Sequence, residues 1–222
     1  LGLDPSRMTV LVSAGGQGIG ETGKCVRFIS EKGYPLNIIA VCAKNESLYR
    51  ELKEMVKKNS LSNIAVLGFV DNMHELLEAS DFAITKPGPS TVFEHLVKNV
   101  PPILTHMAGL QEKGNVDFCL KYRVGWYVTG EKEMQVILEK ILNTDILDEY
   151  RANIARNDFI RSLPNAPYDV ARFVVEELST KRKVRRHRRN AELRRLILGT
   201  RIGIRRVMLR NRKTQYRLRN EI

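Results

Sequence analysis

Residues 86–115 read KPGPSTVFEHLVKNVPPILTHMAGLQEKGN. The Pro/Gly turn at Lys86–Pro89 opens onto a helix predicted over Ser90–Lys98. The apolar run Pro102–Thr105 reads as a buried strand, and a second helix is predicted over Gln111–Tyr122. The same strand–helix alternation extends upstream. Strands are predicted at Met8–Ser13, Leu36–Cys42, Ile64–Leu67 and Phe82–Thr85, with helices at Thr22–Lys32, Ser47–Lys58 and Asn72–Ala79 between them. Downstream, Trp126 falls in a strand. Helices follow at Glu131–Leu142, Asp148–Ile160 and Tyr168–Leu178, the last two separated by Pro164 and Pro167. Strands that are apolar throughout and alternate with helices imply an α/β fold: a Rossmann-like parallel sheet with helices on both faces. Ligands of such sheets bind outside the carboxyl ends of the strands.

The charge of the 222-residue chain is unevenly spread. The last 42 residues, 181–222, hold 17 Lys/Arg and two Asp/Glu, while the first 180 hold 20 and 23. This divides the chain into a near-neutral domain, residues 1–178, and a basic tail, residues 179–222, predicted to be helical or disordered. No apolar run approaches the ~20 residues that span a bilayer. The three cysteines, Cys25, Cys42 and Cys119, lack metal-ligand or disulfide-framework spacing and read as buried apolar side chains. The four histidines are unclustered; of these, His106 falls just after the fifth strand. No metal site is expected. The chain begins at Leu1, in a segment that reads as a linker, so an N-terminal portion is expected to precede it or to lie on another chain.

The polar motifs all sit at predicted strand ends. Pro87 and Gly88 form the turn into a helix whose first turn carries Ser90 and Thr91, a position suited to phosphate. Glu94, one turn on, can accept from a diol. Gln111, Glu112 and Asn115 supply amide and carboxylate groups of the kind that hold sugar hydroxyls. Together they suggest a nucleotide-sugar site.

The loop after the first strand, AGGQGIGETGK over Ala14–Lys24, admits several readings. Gly18, Gly20 and Gly23 match the dinucleotide fingerprint, but no carboxylate ends the second strand to take a ribose. Gly18–Lys24 matches most of a P-loop, but Cys25 replaces the hydroxyl that ligates magnesium. Backbone N–H groups of Gly15, Gly16, Gln17 and Gly18 cradling a phosphate or sugar need only what is present. A tight turn without a ligand remains open for the loop taken alone.

Lys86-Pro-Gly-Pro-Ser-Thr with Glu94, followed by Gln111-Glu112-Lys113-Gly114-Asn115, resembles the C-terminal half of lipid glycosyltransferases of the GT-B fold. The resemblance covers Met8–Leu178 and is to the monogalactosyldiacylglycerol synthase and processive diacylglycerol glucosyltransferase family. It implies an enzyme, an inverting UDP-sugar-dependent hexosyltransferase acting on a membrane lipid such as diacylglycerol. The donor is a substrate, and no cofactor is implied. It implies that backbone groups near Phe69 and Val70 read uracil, that Ser90 and Thr91 hold the diphosphate and that Glu94 grips the ribose. Gln111, Glu112 and Asn115 would take the donor sugar, with Gly15–Gly18 beside the diphosphate and acceptor. The catalytic base is expected on the N-terminal half, so catalytic residues are unknown in this chain. The pattern is broken at Leu110, where the family usually has Gly, and at Ser90, where Gly is common.

In the tail, Lys181–Arg189 reads KRKVRRHRR. Leu193, Leu196, Ile197, Ile204, Val207 and Met208 then share one helical face, with five arginines largely elsewhere. A basic amphipathic segment suits an anionic membrane surface, so a peripheral location on the cytoplasmic face of a membrane is expected. The alternative reading is a nucleotide-sugar-fold binding module tethered by this tail to RNA or a partner subunit.

Overall fold

The computed structural model describes residues 1–14 and 21–179. The loop expected at Gly15–Gly18 and the tail expected to bind a membrane lie outside the described residues. The chain divides into two units, 1–166 and 167–222, so residues 167–178 group with the second unit, whereas the sequence reading draws its boundary after Leu178.

The first unit is built on six parallel strands: β1 Thr9–Ser13, β2 Asn37–Val41, β3 Ile64–Leu67, β4 Phe82–Thr85, β5 Pro102–Leu104 and β6 Trp126–Tyr127. Their order across the sheet is β3-β2-β1-β4-β5-β6. The order reverses between β1 and β4, which opens a crevice at the carboxyl ends of those two strands.

Helices α1 (Thr22–Lys32), α2 (Glu46–Lys58), α3 (Met73–Glu78), α4 (Pro89–Val97) and α5 (Lys113–Tyr122) connect successive strands. Helices α6 (Glu131–Asn143), α7 (Ile146–Arg156) and α8 (Asp158–Ser162) close the unit, and α9 (Ala166–Ser179) follows. Strand side chains alternate between the two faces. Val10, Val12, Ile38, Ala40, Phe82, Ile84 and Ile103 pack with Val26, Ile29, Leu52, Leu138 and Ile141 on one side. Leu11, Ile39, Val41 and Ala83 meet Leu76 and Leu77 on the other, and Leu104 meets Val92, Leu96, Val116 and Cys119. Burial of both faces explains why β1, β2 and β4 are apolar through their middles rather than at alternate positions, with Thr9, Ser13, Asn37 and Thr85 only at their ends. The three cysteines are buried and unpaired, and burial pushes the Cys25 and Cys119 thiols up to about 12, which keeps them unreactive.

Two expected helices differ in detail. The helix predicted over Asp148–Ile160 is broken at Asn157, where the backbone turns extended (ψ 111°) and the side chain caps α8, accepting from Ile160 N–H at 3.1 Å. The helix predicted from Gln111 begins as a 3₁₀ turn, Leu110–Glu112, before becoming α-helical at Lys113. Trp126 lies in a strand as expected, stacked on Tyr150 with ring centroids 4.0 Å apart.

Candidate functional site

The turn after β4 builds the centre of the site. Gly88 is the N-cap of α4 in an extended conformation (φ −65°, ψ 139°) and Pro89 occupies the first helical position, whose missing N–H is no loss there. No side chain caps this end. The helical ladder starts with Val92 N–H donating to Gly88 O at 2.9 Å, so the amides of Ser90 and Thr91 precede it and point out of the helix start. Ser90 is exposed and Thr91 half-buried. A Cβ on Gly88 would lie 3.6 Å from Lys86 Cε, 3.7 Å from Thr91 Oγ1 and 3.9 Å from Glu112 Oε1, so these three side chains ring the turn.

Below the turn, a cavity of about 380 Å³ opens at the strand-order reversal. Its lining includes Ser13, Thr22, Thr85, Lys86, Thr105 and His106. Ser13 and Thr85 end the neighbouring strands β1 and β4, in which Val12 is paired with Ile84. Thr105 follows β5 and joins the row through its N–H, which donates to Thr85 O at 2.9 Å. Ser13 Oγ, Thr22 Oγ1 and Thr85 Oγ1 are buried without a hydrogen-bond partner among the described residues. A buried hydroxyl with no partner is costly, and three lining one cavity mark a place built to be filled by a polar group.

A second cavity, about 270 Å³, lies between α3 and α4 and is lined by Asp71, Met73, His74, Leu77, Glu94 and neighbouring residues. Glu94 is exposed, and its carboxylate forms no ion pair among the described residues. The loop entering α3 carries Phe69, 64% exposed, with Lys44 Nζ 5.9 Å from its ring centroid. Val70 turns inward against the core.

The third group divides. Gln111 is exposed and its amide folds back over Gly109. Glu112 is buried, and its Oε2 accepts from Ala108 N–H at 2.7 Å. Asn115 Nδ2 donates to Pro87 O at 2.8 Å. Glu112 and Asn115 therefore stitch the β5–α5 loop and the Pro87–Gly88 turn into one wall. Leu110, 85% exposed, stands on that loop.

Beside Glu94, His95 is buried. Its Nδ1 is 2.5 Å from Thr91 O, and its Nε2 has no partner among the described residues. Burial pushes its pKa down to about 4, against the opposing hydrogen bond to Thr91, so the ring is neutral at physiological pH.

Thus Pro87, Gly88, Ser90, Thr91, Glu94, Gln111, Glu112 and Asn115 converge at one end of the sheet, with Phe69 and Val70 on the adjacent loop. Sequence reasoning quoted Lys86 within its motif without giving it a role, and it did not single out Ser13, Thr22, Thr85 or Thr105. Ser13, Thr85 and Thr105 signal themselves only as hydroxyls at the ends of otherwise apolar strands, and Thr22 only as the first residue of α1.

Residues 9–118 match the glycosyltransferase family 28 C-terminal domain. The chain is 32% identical over 139 residues to the processive diacylglycerol beta-glucosyltransferase of Staphylococcus carnosus, covering 62% of this chain and 35% of that protein. It is 30% identical over 145 residues to monogalactosyldiacylglycerol synthase 1 of Arabidopsis thaliana, covering 62% and 27%. The chain therefore spans about a third of the length of these curated relatives. In fold it is similar to MurG of Acinetobacter baumannii, with a TM-score of 0.55 at 18% identity over 67% of this chain and 45% of that one. The sheet and its flanking helices are those of a GT-B glycosyltransferase C-terminal domain. Through residues 9–118 the chain belongs to the glycosyltransferase family 28 C-terminal domains, among relatives that glycosylate lipids.

Proposed function

We propose that this chain is the donor-binding part of an inverting glycosyltransferase that moves a hexose from a UDP-sugar to a membrane lipid such as diacylglycerol. The observation that carries the reading is the pairing of two cavities around α4. One lies under the uncapped start of the helix and is lined by unpartnered hydroxyls; the other is walled by Glu94 and the loop that follows Phe69. The uracil lies against Phe69 and Val70, the ribose hydroxyls donate to Glu94, and the diphosphate meets the start of α4. Aligned amides and the positive end of the helix stabilise negative charge as it develops on the departing diphosphate. The sugar faces Gln111 across the wall held by Glu112 and Asn115. The proposal assigns donor binding to these residues and leaves the acceptor and the base to the rest of the enzyme. No cofactor takes part.

Calorimetry with UDP tests the reading. Saturable one-to-one binding is expected, and its absence would overturn it. For the membrane, the proposal is that residues 181–222 hold the enzyme at an anionic surface. Among the described residues, no helix is long and apolar enough to cross a membrane. The full chain is expected to float with phosphatidylserine-containing vesicles and a chain ending at Ser179 to remain in the aqueous fraction. Equal flotation of both would remove the tail from the proposal.

A further inference from the structure

We infer that a cavity between α1 and α6 holds the glycerol end of the acceptor lipid, so that this chain carries a share of the acceptor site as well as the donor. The inference rests on the donor reading above and goes beyond it, because none of the donor contacts assigned there lines this cavity.

The cavity, about 220 Å³, lies on the face of the sheet opposite to α3 and α4. Cys25, Phe28, Val128 and Met134 form its floor; all four are buried and belong to the main core cluster. Its rim is polar, with Glu21 and Lys24 at the start of α1 and Thr129 and Glu131 at the start of α6. An apolar floor with a few polar groups at the mouth suits an amphiphile rather than an ion. The space is smaller than the roughly 300–1,000 Å³ of sites that enclose a whole ligand, so it takes the glycerol and the first acyl carbons and leaves the chains outside. Thr105, Glu21 and Cys25 line both this cavity and the larger one at the strand ends, so the two adjoin.

The carboxylates in the first turn of α6 are used differently. Glu133 accepts from Thr129 N–H at 2.6 Å and from Thr129 Oγ1 at 2.9 Å, closing the start of its own helix. Glu131 lines the cavity and forms no ion pair among the described residues. A carboxylate accepts readily from a hydroxyl, and the free hydroxyl of a diacylglycerol is such a donor. Glu21 is balanced by Lys24 at 3.0 Å, which leaves the rim with the negative charge of Glu131. That charge disfavours an anionic head group and selects a neutral one.

The direction of attack places the acceptor on this side. In an inverting transfer the acceptor oxygen bonds the anomeric carbon from the face opposite to the diphosphate, which departs with the bonding pair, and the hydroxyl proton passes to a base on the rest of the enzyme. The nucleoside cavity lies between α3 and α4 and the diphosphate meets the start of α4, so the opposite approach runs from the α1–α6 side.

The test is titration of the full chain with monomeric dihexanoylglycerol, followed by calorimetry and by the resonance of an isotope-labelled Met134 methyl. Saturable binding that shifts this resonance is expected. Thr129→Trp, which plugs the mouth, should weaken it by at least ~10-fold, and Glu131→Gln, which exchanges a charge-assisted hydrogen bond for a neutral one, by ~3–10-fold. Both variants should keep the wild-type affinity for UDP, because neither residue lines the donor cavities. Dihexanoyl phosphatidylserine, read at Met134, should bind ~10-fold more weakly than the neutral lipid, and the gap should narrow in Glu131→Gln. Glu131 is exposed, so that variant carries the test if Thr129→Trp does not fold. UDP binding without saturable dihexanoylglycerol binding overturns the inference and leaves the donor reading standing. Unchanged lipid affinity in both variants, or equal affinity for the neutral and anionic lipids at Met134, also overturns it. If the unaltered chain does not bind UDP, the donor reading itself falls.

Discussion

The two ends of the parallel sheet are made from the same kind of strand and finished in opposite ways. At the amino end, Asp81 joins three elements: its Oδ2 accepts from Thr9 N–H at 2.8 Å, and Arg151 Nη2 reaches its Oδ1 at 3.0 Å and its carbonyl at 2.9 Å. Asn37 donates to Asp4 O at 2.7 Å and to Thr9 Oγ1 at 3.3 Å, while Asn37 Oδ1 has no partner among the described residues. At the carboxyl end, Ser13, Thr22 and Thr85 keep unpartnered hydroxyls, α1 and α4 start without a side-chain cap, and Lys86 has no ion pair among the described residues. One end spends its polar groups on the protein itself. The other holds them for something else. Among the described residues, three unpartnered hydroxyls gathered around one cavity at the carboxyl end, against a single amide oxygen at the amino end, mark that end as the place of a site.

The contrast can be broken most directly through His95, which stands behind the open end. A neutral buried His with a pKa of about 4 against an unfolded value near 6.5 binds fewer protons than its unfolded form between those values. Above pH ~6.5 both states are neutral and stability is unaffected by this group. As pH falls from ~6.5 to about 4 the unfolded state takes up a proton first, so stability is lost, on the order of 3 kcal/mol in all. Denaturant unfolding of His95→Phe across that window should show a flatter pH profile than wild type. Identical profiles would mean that His95 does not carry the effect.

Asp81→Ala strikes the closed end. It strips Thr9 N–H and Arg151 of their shared partner, and the loss should be about 2–3 kcal/mol, read from the denaturant midpoint, with UDP affinity unchanged. A fall in UDP affinity would show that the ends are not independent. Gly125→Ala tests the sheet edge. A Cβ there would lie 2.7 Å from Pro102 O, a backbone atom that cannot swing aside. About 1–3 kcal/mol should be lost to overpacking, again without effect on UDP. Thr85→Val is the smallest change in stability and the only one of opposite sign, a gain of about 1 kcal/mol in the free chain.

Much of this division was legible before any coordinates. β3, β4 and α1 run over the predicted residues because each is an apolar run or period bounded by clear breakers. Asn157 was not legible as a break, since Tyr150, Ile154 and Ile160 continue an apolar face across it while the cap depends on local backbone conformation. Ser90, Thr91 and Glu94 stand on the first turns of α4 where the sequence placed them, because helical position follows from the Pro/Gly turn that precedes them. Ser13 and Thr85 were not singled out, because lacking a partner is a property of the packed neighbourhood and no spacing encodes it. For the same reason Glu112 and Asn115 were read only as ligand-holding groups. The contacts that turn them to Ala108 and Pro87 come from segments brought together by the fold.

The central claim is that the open end holds a UDP-sugar with Glu94 on the ribose. Calorimetry of UDP against wild type, Glu94→Ala and Asp81→Ala tests it most directly. The account predicts saturable binding to wild type and a loss of about 1.5–3 kcal/mol in Glu94→Ala with unchanged folding stability. It also predicts wild-type affinity in Asp81→Ala under conditions where that variant is folded. No binding to wild type, or equal affinity in wild type and Glu94→Ala, would contradict it.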